Sequence, residues 1–299
     1  MRFRTSPDAL FGYENGLSPE IDGGHAWHVP AALEFMLQAA NDRDHPYLLI
    51  LDEMNLAHVE RYFADVLSGM ESGEPVLPNL RRNEKGEWRA VGGPVALPEN
   101  LMVVGTVNVD ETTYMFSPKV LDRANTIEFR VETADLATDG APLESIDAGN
   151  LSHARSFLRI ASTTAVPASA HAELAGHLRE LHTLLASFGR EFGHRTFGEA
   201  LRFAALLEQS GDSDPLVALD LQVLQKVLPK FHGSVREIAE PLALLASWTF
   251  NGPGVAQGDG KFDAISPPGS AEPALPMTFA KIQRMTKRLQ ANHFVSFAE

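Results

Sequence analysis

The sequence predicts an α/β chain: a partial parallel sheet that carries a β-hairpin insertion, followed by an all-helical part. Three observations predict it. Two continuous apolar runs, "YLLIL" (47–51) and "LMVVGTVN" (101–108), are short and turn-bounded, as strands buried on both faces of a parallel sheet are. Between them, short β-like runs flank "NEKG", a hairpin turn signal. From about Leu151 onward the periodicity is helical.

In chain order, residues 1–30 are rich in Gly, Pro and Asp and read mostly as loop. "PAALEFMLQAAND" (30–42) has helical spacing, with Pro30 in its first turn. The "YLLIL" strand follows, then "NLAHVERYFADVLSGMESG" as a helix ended by Gly69 or Gly73, then the hairpin region. "LMVVGTVN" is the second buried strand, "SPKVLDRA" a short helix and "NTIEFRV" a third strand. The helical part runs through "ELAGHLRELHTLLASFG", "FGEALRFAALLEQSG", "DPLVALDLQVLQKVLPKFHG" and "SVREIAEPLALLASWTF". A Gly/Pro linker (251–275) leads to a basic amphipathic helix, "MTFAKIQRMTKRLQANHF".

Composition sets bounds. A hydrophobic fraction of 44% and a charged fraction of 21% suit a globular chain with a real core. There is no cysteine, which excludes a disulfide framework, thiol catalysis and thiolate metal sites, and fits a reducing, cytoplasmic setting. The first residues hold no apolar leader core, and no run reaches membrane-spanning length. A net charge of −14 makes the chain as a whole a poor binder of phosphate backbones.

The chemistry starts at Asp52 and Glu53. They fall where the "YLLIL" strand ends, and ligands of open parallel sheets sit outside the carboxyl ends of strands. A carboxylate there can hold Mg²⁺ and a second can polarise an attacking water, the Walker B arrangement of a nucleotide hydrolase. The same residues also describe a strand that ends in a polar turn with capping acids. The second strand ends in Asn108, an amide suited to orienting water or touching a phosphate, and equally a common turn residue. Arg123 closes the short helix before "NTIEF", either as a solvated helix-end charge or as a finger aimed into a neighbouring subunit. The order acid pair, amide strand, helix-Arg-strand is more specific than any one part.

On these residues the chain resembles AAA+ ATPases of the dynein-related/MoxR group, and most of all the McrB-type nucleotide-hydrolysing subunits of methylcytosine-specific restriction systems. "LLILDEMNLAHVERYF" resembles the Walker B strand and the helix after it, and "VVGTVNVDETTYMFSPKVLDRANTIEF" resembles sensor 1 through the arginine-finger segment. The stretch from Pro75 to Leu97 resembles that group's insertion. "FGHRTFGEALRF" resembles the start of the helical lid. The resemblance implies a P-loop NTPase core. It implies water-mediated Mg²⁺ binding for Asp52 and general-base catalysis for Glu53. Asn108 becomes sensor 1, Arg123 the finger in trans, and Arg195 the nucleotide-contacting sensor 2, with Arg236 as a weaker alternative. It implies a homo-oligomeric ring that remodels or translocates a macromolecule, with a nuclease or effector subunit as a further partner. Nucleic acid would be met only indirectly or through pore loops.

Two departures qualify this. "VNVDETTYMFS" replaces the family's "MNTADRS", which favours ATP over GTP. No G-x-x-x-x-G-K-[ST] phosphate loop is present, and no lysine stands in that context. In the family that loop precedes the region resembling residues 1–15, and its strand lies between the sensor 1 strand and "NTIEF". The expectation is an AAA+ fragment whose strands lack a neighbour, or a non-hydrolysing homologue that scaffolds a ring. The expected division is 1–135 for a partial α/β core, 150–250 for a helical lid, 251–275 for the linker and 276–299 for the last helix. His25 and His28 are spaced like metal ligands but lack an acid or Cys cluster. "HARSFLRI" and "RMTKRLQ" read as solvated helix faces.

Overall fold

A computed structural model describes residues 6–21, 24–108, 116–130, 147–162, 166–167, 169–255, 261–267, 269 and 271–297. The expectation of ATP rests on residues 107–117, of which 109–115 lie outside these, as do residues 256–260, 268 and 270 of the expected linker. The chain divides into two compact units, Met1–Val120 with Asp139–Ser162, and Leu121–Thr138 with Thr163–Glu299. This differs from the expected boundaries: Arg123 belongs with the helices, and residues 139–162 belong with the sheets.

The first unit opens with α1 (Asp8–Phe11), β1 (Tyr13–Glu14), β2 (Trp27–His28) and α2 (Ala31–Asn41). Part of the expected loop is therefore regular, because β1 and β2 extend the inserted hairpin. That hairpin is β4 (Leu80–Arg82) and β5 (Trp88–Ala90), and the antiparallel order is β1-β2-β5-β4. The parallel pair is β3 (Tyr47–Leu51) with β6 (Leu101–Gly105), in register from Tyr47↔Leu101 to Leu51↔Gly105. After β3 the chain forms a 3-10 turn (Met54–Leu56), then α3 (Val59–Tyr62) and α4 (Ala64–Ser72). The one long helix expected there is thus broken. It ends at Gly73, whose φ of 68° suits a residue without a side chain.

Alternation along β3 decides how the sheet sits. Leu49 and Leu51 join the core with α2 residues Leu33, Met36 and Leu37, while Leu48 and Ile50 point away and are 51% and 57% exposed. On β6, Val103 packs inward and Val104 is 45% exposed. The expectation of burial on both faces is corrected: one apolar face of this parallel pair is open. Parallel sheets are ordinarily covered on both faces, and among the described residues the helices pack against the Leu49 and Leu51 side. Asn100 ties the sheet to α2, its side-chain NH₂ facing the carbonyls of Ala39, Asp42 and His45 at 3.1, 2.7 and 2.8 Å. The unit also holds α5's first residues (α5, Pro118–Leu121) and α6 (Leu151–Ala161), capped by Asn150 and with no buried residue.

The expected third strand does not form. Among the described residues, no strand pairs with residues 124–130. Thr126 instead donates its N–H to the Gln225 carbonyl at 3.0 Å.

The second unit is helical: α7 (Ala172–Ala186), α8 (His194–Gln209), α9 (Pro215–Gln222), α10 (Val235–Asn251) and α11 (Pro276–Asn292). A π turn (Val223–Val227) and a 3-10 turn (Leu228–Lys230) continue α9, and β7 (Gly233–Ser234) pairs with β8 (Phe294–Val295). One core joins Leu178 and Leu181 of α7, Leu219 of α9, Leu245 and Trp248 of α10, and Ile282 of α11. Polar residues place the helix starts. Asp214 caps α9, Ser234 and Glu237 form a capping box on α10, and buried Asp220 accepts the N–H groups of Met277 and Thr278 at α11. The expected linker is partly anchored: Ala264 and Leu275 are buried, and Leu275 N–H donates to Thr249 O. Among the described residues no helix is long and apolar enough to cross a membrane.

Candidate active site

Asp52 and Glu53 stand immediately after β3, and Thr106 and Asn108 stand after β6, its parallel neighbour. Parallel pairing therefore brings the two strand ends side by side. Glu53 N–H donates to Thr106 Oγ1 at 2.9 Å, and Thr106 Oγ1 donates to Asp52 Oδ1 at 2.5 Å. Asn108 Nδ2 donates to Glu53 Oε1 at 2.9 Å. All four side chains are exposed to solvent. The two acids are thus held apart by different partners, one by a hydroxyl and one by an amide.

The backbone here is strained. Glu53 has φ 49° and ψ 45°, the left-handed region that costs an L-residue roughly 1–2 kcal/mol. Among the described residues His293 is the other non-glycine with positive φ. Strain of this kind persists where the surroundings impose it, and such outliers cluster at functional sites. The constraints on this turn can be named. Met54 N–H donates to Thr106 O, Asn55 Nδ2 donates to Asn108 O, and the Tyr62 hydroxyl donates to Met54 O. Burial pushes the Tyr62 phenol up to about 12. Gly105 completes the fit, since a side-chain carbon there would overlap the Met54 sulfur.

The donor set suits one hard cation of modest protein ligation. Asp52 offers a solvent-facing carboxylate beside a hydroxyl, and Mg²⁺ binds through one or two carboxylates while keeping waters. Among the described residues no group of three or more His, Asp or Glu forms a dedicated metal cage. The His25 Nδ1 bonds Ser18 O at 2.6 Å, and His28 lies against the Tyr13 ring.

The arginines lie in the helical unit. Arg195 is in the first turn of α8, and Arg123 follows α5. Burial first, and then the Arg195 charge, lower the Arg123 pKa from its ordinary value, so the two guanidinium groups are electrostatic neighbours. Arg236 is exposed on the first turn of α10. Sequence reasoning missed Thr106, although its place two residues before Asn108 puts it on the same strand end.

Residues 143–294 match a family described as a domain of unknown function, DUF8727, over just over half of the chain. The chain belongs to the DUF8727 family. The DUF8727 match takes in α6 to α11 with Arg195 and Arg236, whereas Asp52, Glu53, Thr106, Asn108 and Arg123 lie outside it. No curated protein and no solved structure matches the chain.

Proposed function

We propose that this chain carries the metal-and-base half of a Mg²⁺-dependent ATP hydrolysis site of AAA+ type, working in an oligomeric ring. The observation behind this reading is the strained Glu53, its carboxylate held by Asn108 while its neighbour Asp52 is held by Thr106. Asp52 would bind the cation through water. Glu53 is the general base, and Asn108 fixes the carboxylate oxygen that faces the attacking water. The bound Mg²⁺ would supply charge neutralisation at the phosphates. Arg123 acts on a neighbouring subunit's nucleotide, and its electrostatic neighbour Arg195 stands beside it in the helical unit. ATP is favoured over GTP. The work done is remodelling or translocation of a macromolecule, in partnership with a nuclease or another effector, with the chain residing in the cytoplasm.

The residues of this sequence do not include a glycine-rich phosphate loop. That favours a second reading, an inactive ring subunit that scaffolds others, and the open apolar face of β3 and β6 suits such a partner role. One experiment separates the two. The chain alone should not hydrolyse ATP above background. In an assembly with a polypeptide that carries the phosphate loop, Glu53→Gln should leave ATP binding intact and lower hydrolysis by about 10²- to 10⁴-fold. Hydrolysis that ignores Glu53→Gln would leave only the scaffold reading.

A further inference from the structure

We infer that Arg123 is positioned by the helical unit, through a clamp that grips the chain on both sides of it. On one side Asp122 pairs with Lys230 of the 3-10 turn. On the other, Thr126 N–H donates to Gln225 O at 3.0 Å, and Glu128 accepts from Lys281 Nζ and from Arg284, each at 2.8 Å. All of these residues belong to the same compact unit.

Each hold has a local cause. Gln225 lies in the π turn, where the regular ladder is broken, and its carbonyl finds a donor outside the helix. Lys281 projects from α11 into the core. Its ammonium also donates to Phe297 O at 2.6 Å and lies 4.2 Å from the Phe297 ring centre. A charge so buried requires its partner, because removing one member of a buried pair is strongly unfavourable. The Glu128 carboxylate reaches α11, while Ile127 and Phe129 are 64% and 93% exposed.

The consequence is mechanical. Arg123 lies between Asp122 and Thr126, so its Cα follows the 3-10 and π turns, and α11 acts on it through Glu128, further along the same segment. This gives α11 a role that the reading of it as a solvated basic helix did not contain. The inference stands on these contacts and not on the nucleotide reading.

Hydrogen–deuterium exchange on the whole ligand-free chain tests it. Within the peptide spanning 121–130, the Thr126 amide, which donates to Gln225 O, should be protected in the wild type. Glu128→Gln keeps size and an acceptor oxygen but removes the charge, and should speed exchange in that peptide by at least about tenfold, as expected for release of a local unit. Arg284→Gln, on the solvent side, should give a smaller change in the same direction. Lys287→Ala, on the exposed face of α11, should give none. Peptides from α7 and α10 should be unaffected throughout. Unchanged exchange at 121–130 in both Glu128→Gln and Arg284→Gln would overturn the clamp. So would a loss of protection spread evenly over the helical unit.

Discussion

Asn108, just beyond the end of β6, donates its side-chain N–H to Oε1 of Glu53 at 2.9 Å across the parallel strand pair. The bond joins the second carboxylate of the acid pair to the amide that ends the neighbouring strand. It leaves Glu53 Oε2 without a part in this contact, and it fixes the plane of the carboxylate. The backbone beneath it is left-handed at φ 49°. A side chain held this firmly above a strained turn is arranged for use rather than for stability.

That contrast makes the first prediction. Glycine adopts positive φ without steric cost. Glu53→Gly should leave thermal stability unchanged or raise it by up to about 1 kcal/mol. Chemical denaturation of the two proteins measures this. A loss of stability would mean that Glu53 holds the fold together, and the functional reading of its strain would fail.

Thr106 carries the second. Its hydroxyl accepts from Glu53 N–H and donates to Asp52 Oδ1. Thr106→Val keeps the shape and removes both bonds, so it should cost about 0.5–1.5 kcal/mol, the net worth of hydrogen bonds whose partners water can reach. Thr106→Ser should recover most of it. If valine and serine behave alike in denaturation, the hydroxyl does not bridge the two strand ends.

Much of this was legible in the sequence, for identifiable reasons. "YLLIL" and "LMVVG" are strands because short apolar runs bounded by turns have few other forms, and "NEKG" closes its hairpin by turn chemistry. The nearness of Asp52, Glu53 and Asn108 followed from placing two strand ends together. What periodicity cannot read is which neighbour is present. "NTIEF" has the composition of a strand, yet Thr126 bonds to a helix carbonyl, since a strand needs a partner for its ladder. Nor does the pattern show that Lys281, in a basic helix, turns inward to meet Glu128 across 153 positions of sequence.

Tyr62 gives a prediction in alkali. Its hydroxyl donates to Met54 O, and burial raises its pKa to about 12, above an unfolded value of about 10. The stability it contributes is therefore fully present below about pH 10 and is lost as pH rises through about 12. Spectroscopic titration should show Tyr62 ionising late, beside Tyr47, which burial and its bond to Asp42 also raise. Tyr62→Phe should abolish that late step and cost about 1–3 kcal/mol at neutral pH, by leaving the Met54 carbonyl unpaired.

Glu128 gives the acid counterpart. Burial alone would push its carboxyl up, but the Lys281 hydrogen bond and charge, joined by Arg284, outweigh burial and hold it below the ordinary range. A carboxyl lowered in the folded state contributes stability above its unfolded value, about 4.3, and loses it as pH falls through the folded value. The melting temperature of the wild type should thus fall more steeply below about pH 4 than that of Glu128→Gln. Parallel acid profiles would show that the ion pair adds nothing to the native state.

Arg123 tests the ring itself. If it acts on a neighbour's nucleotide, Arg123→Ala should abolish hydrolysis in the phosphate-loop-bearing assembly while sparing nucleotide binding. A finger supplied in trans is worth about 10³- to 10⁵-fold in comparable phosphoryl transfers. A helix-end charge without such a role would be worth only about 0.3–1 kcal/mol of stability. Mixing the variants decides between the two. Arg123→Ala subunits should regain activity when assembled with Glu53→Gln subunits, because some mixed interfaces then pair an intact base with an intact finger. Neither variant alone has such an interface. A mixture that assembles and stays as inactive as its components would show that Arg123 does not work across a subunit boundary, and the ring mechanism would lose its central residue.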